Sequence, residues 1–372
     1  AGFTGVRVPR EFGGDGATLP QLFALLVELA AADPHVPQAF RGHIAFVEDQ
    51  LNRAPGPARD ELLTRFARGE MVGNAVTEIG GVALGDTRTR ITPDGDGWLI
   101  SGSKYYTTGS IFAEWIDTSA LDTDGVEVAA LVPTNHIGVK VSDDWTGFGQ
   151  RLTGSGTAVF DQVPVRGEHV YRFSERFSYQ TALYQLILVA VLAGIARAAA
   201  DDAALQVRSR ARTFSHGNDE TRYDPQILAI VGRVASDAAA VEAITVRAAE
   251  ACEVAYRQRN AGAEIVAANK RSAELRSAEA QVVATRLALE AATELFDGLG
   301  ASATSISQGL DRHWRNARTV SSHNPVAFKA RIVGDWRDAP GIFEPRSCPR
   351  YGVTGRSHHS GSVDDRSDHL AS

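Results

Sequence analysis

The chain has 372 residues, 44% hydrophobic and 22% charged, with a formal net charge of -7. That size and balance suit a globular enzyme with a large buried core, and the acidic charge excludes a general nucleic-acid binder, which needs a basic face. Cys252 and Cys348 are the only cysteines; they offer neither a disulfide framework nor a cysteine metal site, and favour a reducing, cytoplasmic setting.

The opening "AGFTGVRVPREFGG" lacks the basic start and apolar stretch of a signal peptide. From Leu19 to about Arg68, "LPQLFALLVELAAADPHVPQAF" and "RGHIAFVEDQL" carry apolar residues three and four apart, a helical pattern. From Met71 to about Val170 short alternating runs broken by glycine replace it. "TRTRITPDGDGWLISGSKYY" reads as strand, turn and strand, and "VEVAALVP", "GVKVSD" and "GTAVFDQVPV" add more, predicting a small β barrel or sandwich. From Tyr171 to Gly334 long alanine-rich helices return, with breaks near 214–225, 260–263 and 297–307, as a helical bundle requires. The longest apolar run, Leu186 to Ala196, is shorter than the roughly 18 residues of a membrane span and reads as a buried helix. Residues 335–372, with "RSHHSGSVDDRSDHLAS", read as a disordered tail in which His358 and His359 have no rigid partner for a metal. The domains are thus 1–70 (helical), 71–170 (β), 171–334 (bundle) and 335–372 (tail). No internal repeat of about 20 to 50 residues stands out, which removes solenoids and propellers.

Three polar, small-residue segments interrupt this pattern: "GNAVTEIGG" at 73–81, "SGSKYYTTGS" at 101–110, and "ELFDGLGASATSISQGLDRHWRNARTVSSHNP" at 294–325. Loops of this kind, including Gly298 and Gly300, let a backbone approach a flat polar cofactor and offer it N–H and O–H donors.

Together with the opening segment, Thr77–Glu78, "GSKYYTTG", "GSGTAVFDQVPV" and "LFDGLGASA…LDRHWRNAR", they make residues 1 to 334 resemble the acyl-CoA dehydrogenase superfamily. The resemblance implies an α+β fold: a partial N-terminal helical domain, a central β barrel or sandwich, and a C-terminal four-helix bundle, assembled as a homotetramer around flavin. It implies that Thr77 and Thr108 hydrogen-bond the flavin and that Tyr106 lies beside its ring. Arg212, Phe214 and Gln226 match positions near the nucleotide end or a neighbouring subunit. Plain barrel core is the competing reading of Tyr106, and a solvated helix-end charge that of Arg212.

Dehydrogenases of this superfamily abstract a proton with a glutamate, but the matching position here is Asn324, preceded by His323, and an amide is no general base. "HWRNARTVSSHNP" instead resembles the flavin-dependent monooxygenases of the same fold, of the dibenzothiophene and sulfone monooxygenase type. These take reduced FMN from a separate reductase and react it with O2 through a C4a-hydroperoxyflavin. The resemblance then makes His323, His43, Asn74 and Thr108 the catalytic set for a small organic substrate, an organosulfur compound by the same resemblance, with no metal, nucleic acid or membrane partner. A histidine with an ordinary pKa of ~6.5 can hold or deliver a proton near neutrality, and neutral Asn74 and Thr108 can stabilise developing negative charge. A satisfied helix histidine is the competing reading of His43; His313 reads as structural or phosphate-facing. The alternative function is an FAD-dependent acyl-CoA dehydrogenase or oxidase, with Glu78 or Glu242 as its base.

Overall fold

In the computed structural model, residues 2–80, 87–210, 217 and 220–338 are described. Four helices open the chain: α1 (Leu19–Ala32), α2 (His35–Ala39), α3 (Arg41–Asn52) and α4 (Pro57–Ala67). A capping box starts α1: the Thr18 hydroxyl accepts from the Gln21 N–H while the Gln21 side chain accepts from the Thr18 N–H.

The β domain follows as β1 (Val72–Ala75), β2 (Arg90–Asp94), β3 (Gly97–Tyr105), β4 (Trp115–Leu121), β5 (Glu127–Pro133), β6 (Val139–Ser142), β7 (Thr157–Arg166) and β8 (Val170–Arg172). They form one mixed sheet in the order β6-β7-β3-β2-β4-β5-β8, with β1 parallel to β4. The β2–β3 hairpin pairs Asp94 with Gly97, and Gly95 at φ 55° supplies the positive φ of the tight turn. Side chains from β2, β3, β4, β5 and β7, among them Ile91, Ile100, Ile116, Val132, Phe160 and Val163, share one core, so the sheet curls upon itself. Leu131 and Val72 point the other way and join Phe46, Leu63 and Phe66 of the helical layer.

The bundle consists of α5 (Gln180–Ser209), α6 (Pro225–Arg257), α7 (Ala263–Leu299), α8 (Asp311–Ser321) and α9 (Val326–Asp338). Asp224 caps α6 by accepting from the Gln226 and Ile227 N–H groups, and Pro225 follows at the first helical position. By length and composition α5 could cross a membrane, but its apolar window is 89% buried inside the protein, as the core helix of a bundle must be. The fold is the α+β arrangement that the sequence implies. One correction concerns the tail: α9 carries the chain as helix to Asp338, past the expected break at 335. Residues 339–372 lie outside the described residues.

Between sheet and bundle lies α3, buried from Arg41 through Leu51 on every side. Gly42 makes this possible. A Cβ there would stand 2.9 Å from the Asn74 backbone nitrogen and 3.0 Å from the Gly73 carbonyl carbon, so only glycine lets α3 lie directly on β1. Gly42→Ala should therefore destabilise the protein by roughly 1–3 kcal/mol despite its better helix propensity. Urea unfolding that shows the variant as stable as wild type would disprove this close contact.

Candidate active site

The N-terminus of α3, the end of β1 and the start of α5 meet in a narrow cleft lined by Arg41, Asn74, Val76, Arg176, Gln180 and Tyr184 among others. The Asn74 N–H donates to the Thr108 carbonyl at 3.3 Å, and the Tyr105 N–H to the Thr77 carbonyl at 2.7 Å. These two bonds bring "GNAVTE" and "KYYTTG" together beside the cleft. Five polar atoms of the lining are buried without a hydrogen-bond partner: Asn74 Oδ1, Arg41 Nη2, Asp117 Oδ2, and Nε and Nη1 of Arg176. Native interiors rarely tolerate such atoms outside functional sites.

Tyr106 follows β3 directly, in the left-handed region at φ 60°, a conformation that costs free energy in a non-glycine residue. Its ring is 45% exposed, edge-on to Tyr105 and Trp145. It is not barrel core; it presents an aromatic face at the sheet edge, next to the half-buried Thr77. Thr108 is buried, and its hydroxyl starts a chain: Thr108 to Ser155 at 2.8 Å, Ser155 to Thr153 at 2.7 Å, Thr153 to the Gln150 carbonyl at 2.8 Å. The last acceptor is a carbonyl, so each hydroxyl proton must point along the chain. Thr108 therefore donates to Ser155 and turns an acceptor oxygen outward. This corrects the expectation that it serves as a donor.

His323 follows α8. "HWRN" fixes that helix first: His313 Nε2 lies 2.7 Å from Asp202 of α5, Trp314 stacks on Phe148 at 5.9 Å, and the Asn316 side-chain oxygen accepts from the Gln150 N–H at 2.8 Å. His313 is thus a structural tie to the bundle. Gly149 packs so closely on α8 that a Cβ would meet the Arg315 carbonyl oxygen at 2.2 Å. His323 itself is exposed. Its Nε2 lies 3.1 Å from Arg41 Nη1 and its Nδ1 3.0 Å from the Asn324 side-chain nitrogen. Asn324 in turn reaches Gln185 at 2.8 Å.

His43 does not join this group. Its Nε2–H donates to the Thr4 carbonyl at 2.9 Å, its Nδ1 accepts from the Val72 N–H at 3.3 Å, and Phe40 and Phe66 cover the ring edge-on. Both nitrogens are spent on backbone groups, so the expected catalytic role is corrected to a structural one. Gln226 has an exposed side chain at the start of α6, Gly298 faces Ile230 within the bundle, and Gly300 ends α7 at φ 72°. Arg212 and Phe214 lie outside the described residues. The sequence reading missed Arg41, Arg176 and Asp117. An arginine amid the apolar residues of "QAFRGHIAF" was the available signal for Arg41.

The two carboxylates considered as dehydrogenase bases are both engaged. Glu78 pairs with buried Lys104 at 2.7 Å and accepts from Arg88 N–H, Thr89 N–H and the Thr89 hydroxyl. Burial works against its charge, but Lys104 and these donors outweigh it and hold the carboxyl below its ordinary range. Glu242 is bound to Arg197 at 2.5 and 2.6 Å.

Comparison with known proteins fits this geometry. Residues 186–328 match the acyl-CoA dehydrogenase C-terminal domain. The dibenzothiophene monooxygenase of Rhodococcus erythropolis is 29% identical over 352 residues, 90% of this chain and 84% of that protein. FMN-bound TdsC from Paenibacillus sp. A11-2 superposes with a TM-score of 0.83 at 31% identity, covering 90% of this chain and 88% of TdsC. Methanesulfinate monooxygenase MsuC of Pseudomonas fluorescens gives a TM-score of 0.81 at 27% identity, covering 90% and 87%. The fold and the cleft define an enzyme of the acyl-CoA dehydrogenase type. Within that fold, the chain belongs to the flavin-dependent monooxygenases.

Burial pushes the His43 imidazole down to about 4, offset only partly by its bond to Thr4. Unfolded, this histidine titrates near ~6.5, so the unfolded chain binds more protons between those values. Its contribution to stability is present above ~6.5 and is lost as pH falls toward 4, amounting to roughly 3 kcal/mol. His169 is also pushed down by burial, so the diagnostic is a comparison. His43→Gln should flatten the stability loss between pH 6.5 and 4, and an unchanged slope in urea unfolding would show that folding does not hold the His43 imidazole neutral.

Proposed function

We propose that the protein oxygenates a small organosulfur compound, using reduced FMN delivered by a separate reductase and O2. The observation that carries this reading is His323, held by Arg41 beside Asn324, the position where a dehydrogenase would carry its carboxylate. The site fits a flavin: the exposed Tyr106 ring, the half-buried Thr77 and the unpartnered Asn74 oxygen supply an aromatic face and polar contacts along one edge. When bound, reduced FMN supplies the two electrons and two protons with which one atom of O2 enters the substrate and the other leaves as water.

The chain's own residues position, shield and move protons. A guanidinium only donates, so Arg41 Nη1 makes His323 Nε2 an acceptor and leaves Nδ1 as the nitrogen that carries the transferable proton. An Nδ1–H is satisfied when the Asn324 amide turns its oxygen to the ring and Gln185 turns with it, since amide orientation is interchangeable in such a pair. Asn74 offers negative charge its amide N–H, which cannot discharge it, and the acceptor oxygen of Thr108 receives an N–H or O–H from the ligand.

In a single turnover under labelled dioxygen, one labelled oxygen atom should enter the product per FMN oxidised. His323→Ala should keep FMN affinity but cut coupled oxygenation by ~10²–10⁴, with hydrogen peroxide released instead. Full coupling in that variant would remove His323 from the reaction; a parallel loss of FMN binding would make it structural.

Assembly as a homotetramer completes the reading. Gly300 and Gln226 sit at the end of the bundle formed by Val207, Ile227 and Leu299, whereas His323 reaches α5 through Asn324 at Gln185. From 185 to 207 along α5 is roughly 30 Å at the helical rise, too far for one FMN to touch both ends within one chain. If both ends serve flavin, each must meet a flavin of another copy. Sedimentation at micromolar concentration should therefore show an oligomer, and a monomer that still binds FMN with full affinity would confine the site to one chain.

A further inference from the structure

Resting on that reading, we infer that Arg41 is the substrate's anion anchor and selects small organic oxyanions, such as a sulfinate, over neutral sulfur compounds. Arg41 is 3% exposed. Its Nε donates to the Tyr184 carbonyl at 3.2 Å, its Nη1 to His323, and its plane lies 4.8 Å from the Tyr184 ring centre. No carboxylate pairs with it among the described residues, and Nη2 has no partner. A guanidinium stays charged at every working pH. Burying it without a counter-ion is expensive, and the interactions it does make are with neutral groups.

The rest of the cleft does not cancel the charge. Arg176, 9% exposed, spends Nη2 on Asp117 at 2.5 Å, while its Nε and Nη1 are unpartnered. Two guanidinium groups and one carboxylate leave the cleft with a surplus positive charge. Val76 and Tyr184 add apolar surface to the lining, and the cleft is narrow. Such a pocket admits the oxygens of a compact head group, which a fork of N–H donors recognises well. It leaves the sulfur next to His323. A bulky neutral heterocycle offers nothing to discharge Arg41.

The test is titration calorimetry on the full-length, flavin-free protein with methanesulfinate and, as its neutral counterpart of similar size, dimethyl sulfone. Methanesulfinate should bind, more weakly as salt rises, and dimethyl sulfone should not. Arg41→Met should weaken methanesulfinate at least tenfold while Arg41→Lys retains part of the affinity. Without ligand, Arg41→Met should melt no lower than wild type, because it removes an uncompensated buried charge. Equal binding of both compounds by the wild type overturns the inference whatever the variants do. So does an Arg41→Met protein that melts well below wild type, which makes Arg41 a structural cation. A variant that loses FMN affinity as much as methanesulfinate affinity assigns the charge to the flavin and overturns it too. Since binding is read without turnover, methanesulfinate binding with no labelled oxygen transferred would sink the proposed function instead.

Discussion

A helix buried on all sides must find partners for every polar side chain it carries, and α3 carries Arg41, His43, Glu48 and Asp49. Their partners lie in different layers. His43 binds the Thr4 carbonyl in the opening loop and the Val72 N–H on the sheet. Glu48 takes a two-pronged contact from Arg7 at 2.8 and 3.1 Å and a short bond from the Tyr179 hydroxyl. Arg41 reaches the bundle at Tyr184 and His323. Moving α3 by even a fraction of an ångström would strand several of these groups at once, so the helix fixes the relative placement of loop, sheet and bundle. The cleft sits at the one end of α3 where the matching is incomplete.

Helix α8 is the complementary device. Its His313 and Asn316 spend their polar atoms on α5 and on the 148–150 loop, so bundle and β domain are clamped from the other side. Past its last turn the chain is released, and His323 emerges from a helix that cannot shift. The His323 ring is thereby placed to within a hydrogen bond of Arg41 while the residue itself stays exposed.

The fold was legible because its signals are local and periodic. Three-and-four spacing marked α1 and α3, the Pro-Asp-Gly-Asp-Gly run marked the β2–β3 hairpin, and the apolar run from Leu186 marked the buried core of α5. The segment around His323 stood out too, because it departs so sharply from an ordinary helix surface. What sequence could not show was the direction of polar side chains. His43 and Arg41 are two residues apart on one helix, and only the packing of Gly42 on Asn74 sends one to the backbone of the core and the other to the cleft. The hydroxyl chain from Thr108 to Gln150 likewise depends on Ser155 and Thr153, which share no local pattern with "KYYTTG".

The balance of donors and acceptors in the cleft decides between the two chemistries this fold supports. Removing a proton from carbon needs a carboxylate free to accept it. Glu78 and Glu242 are saturated with donors, and Asp117, although burial pushes its carboxyl up, is held by Arg176 beside it. Glu78 and Glu242 cannot receive a substrate proton without first breaking an ion pair, and Asp117 keeps one unpartnered oxygen, Oδ2, in a cleft it shares with two guanidinium groups. The cleft is instead rich in N–H groups: two guanidinium groups, two of whose unpartnered nitrogens belong to Arg176 and one to Arg41. Groups of that kind cannot abstract a proton, but they hold oxygen atoms that carry or develop negative charge. Oxygen transfer asks for the second property, and the cleft's residues supply it.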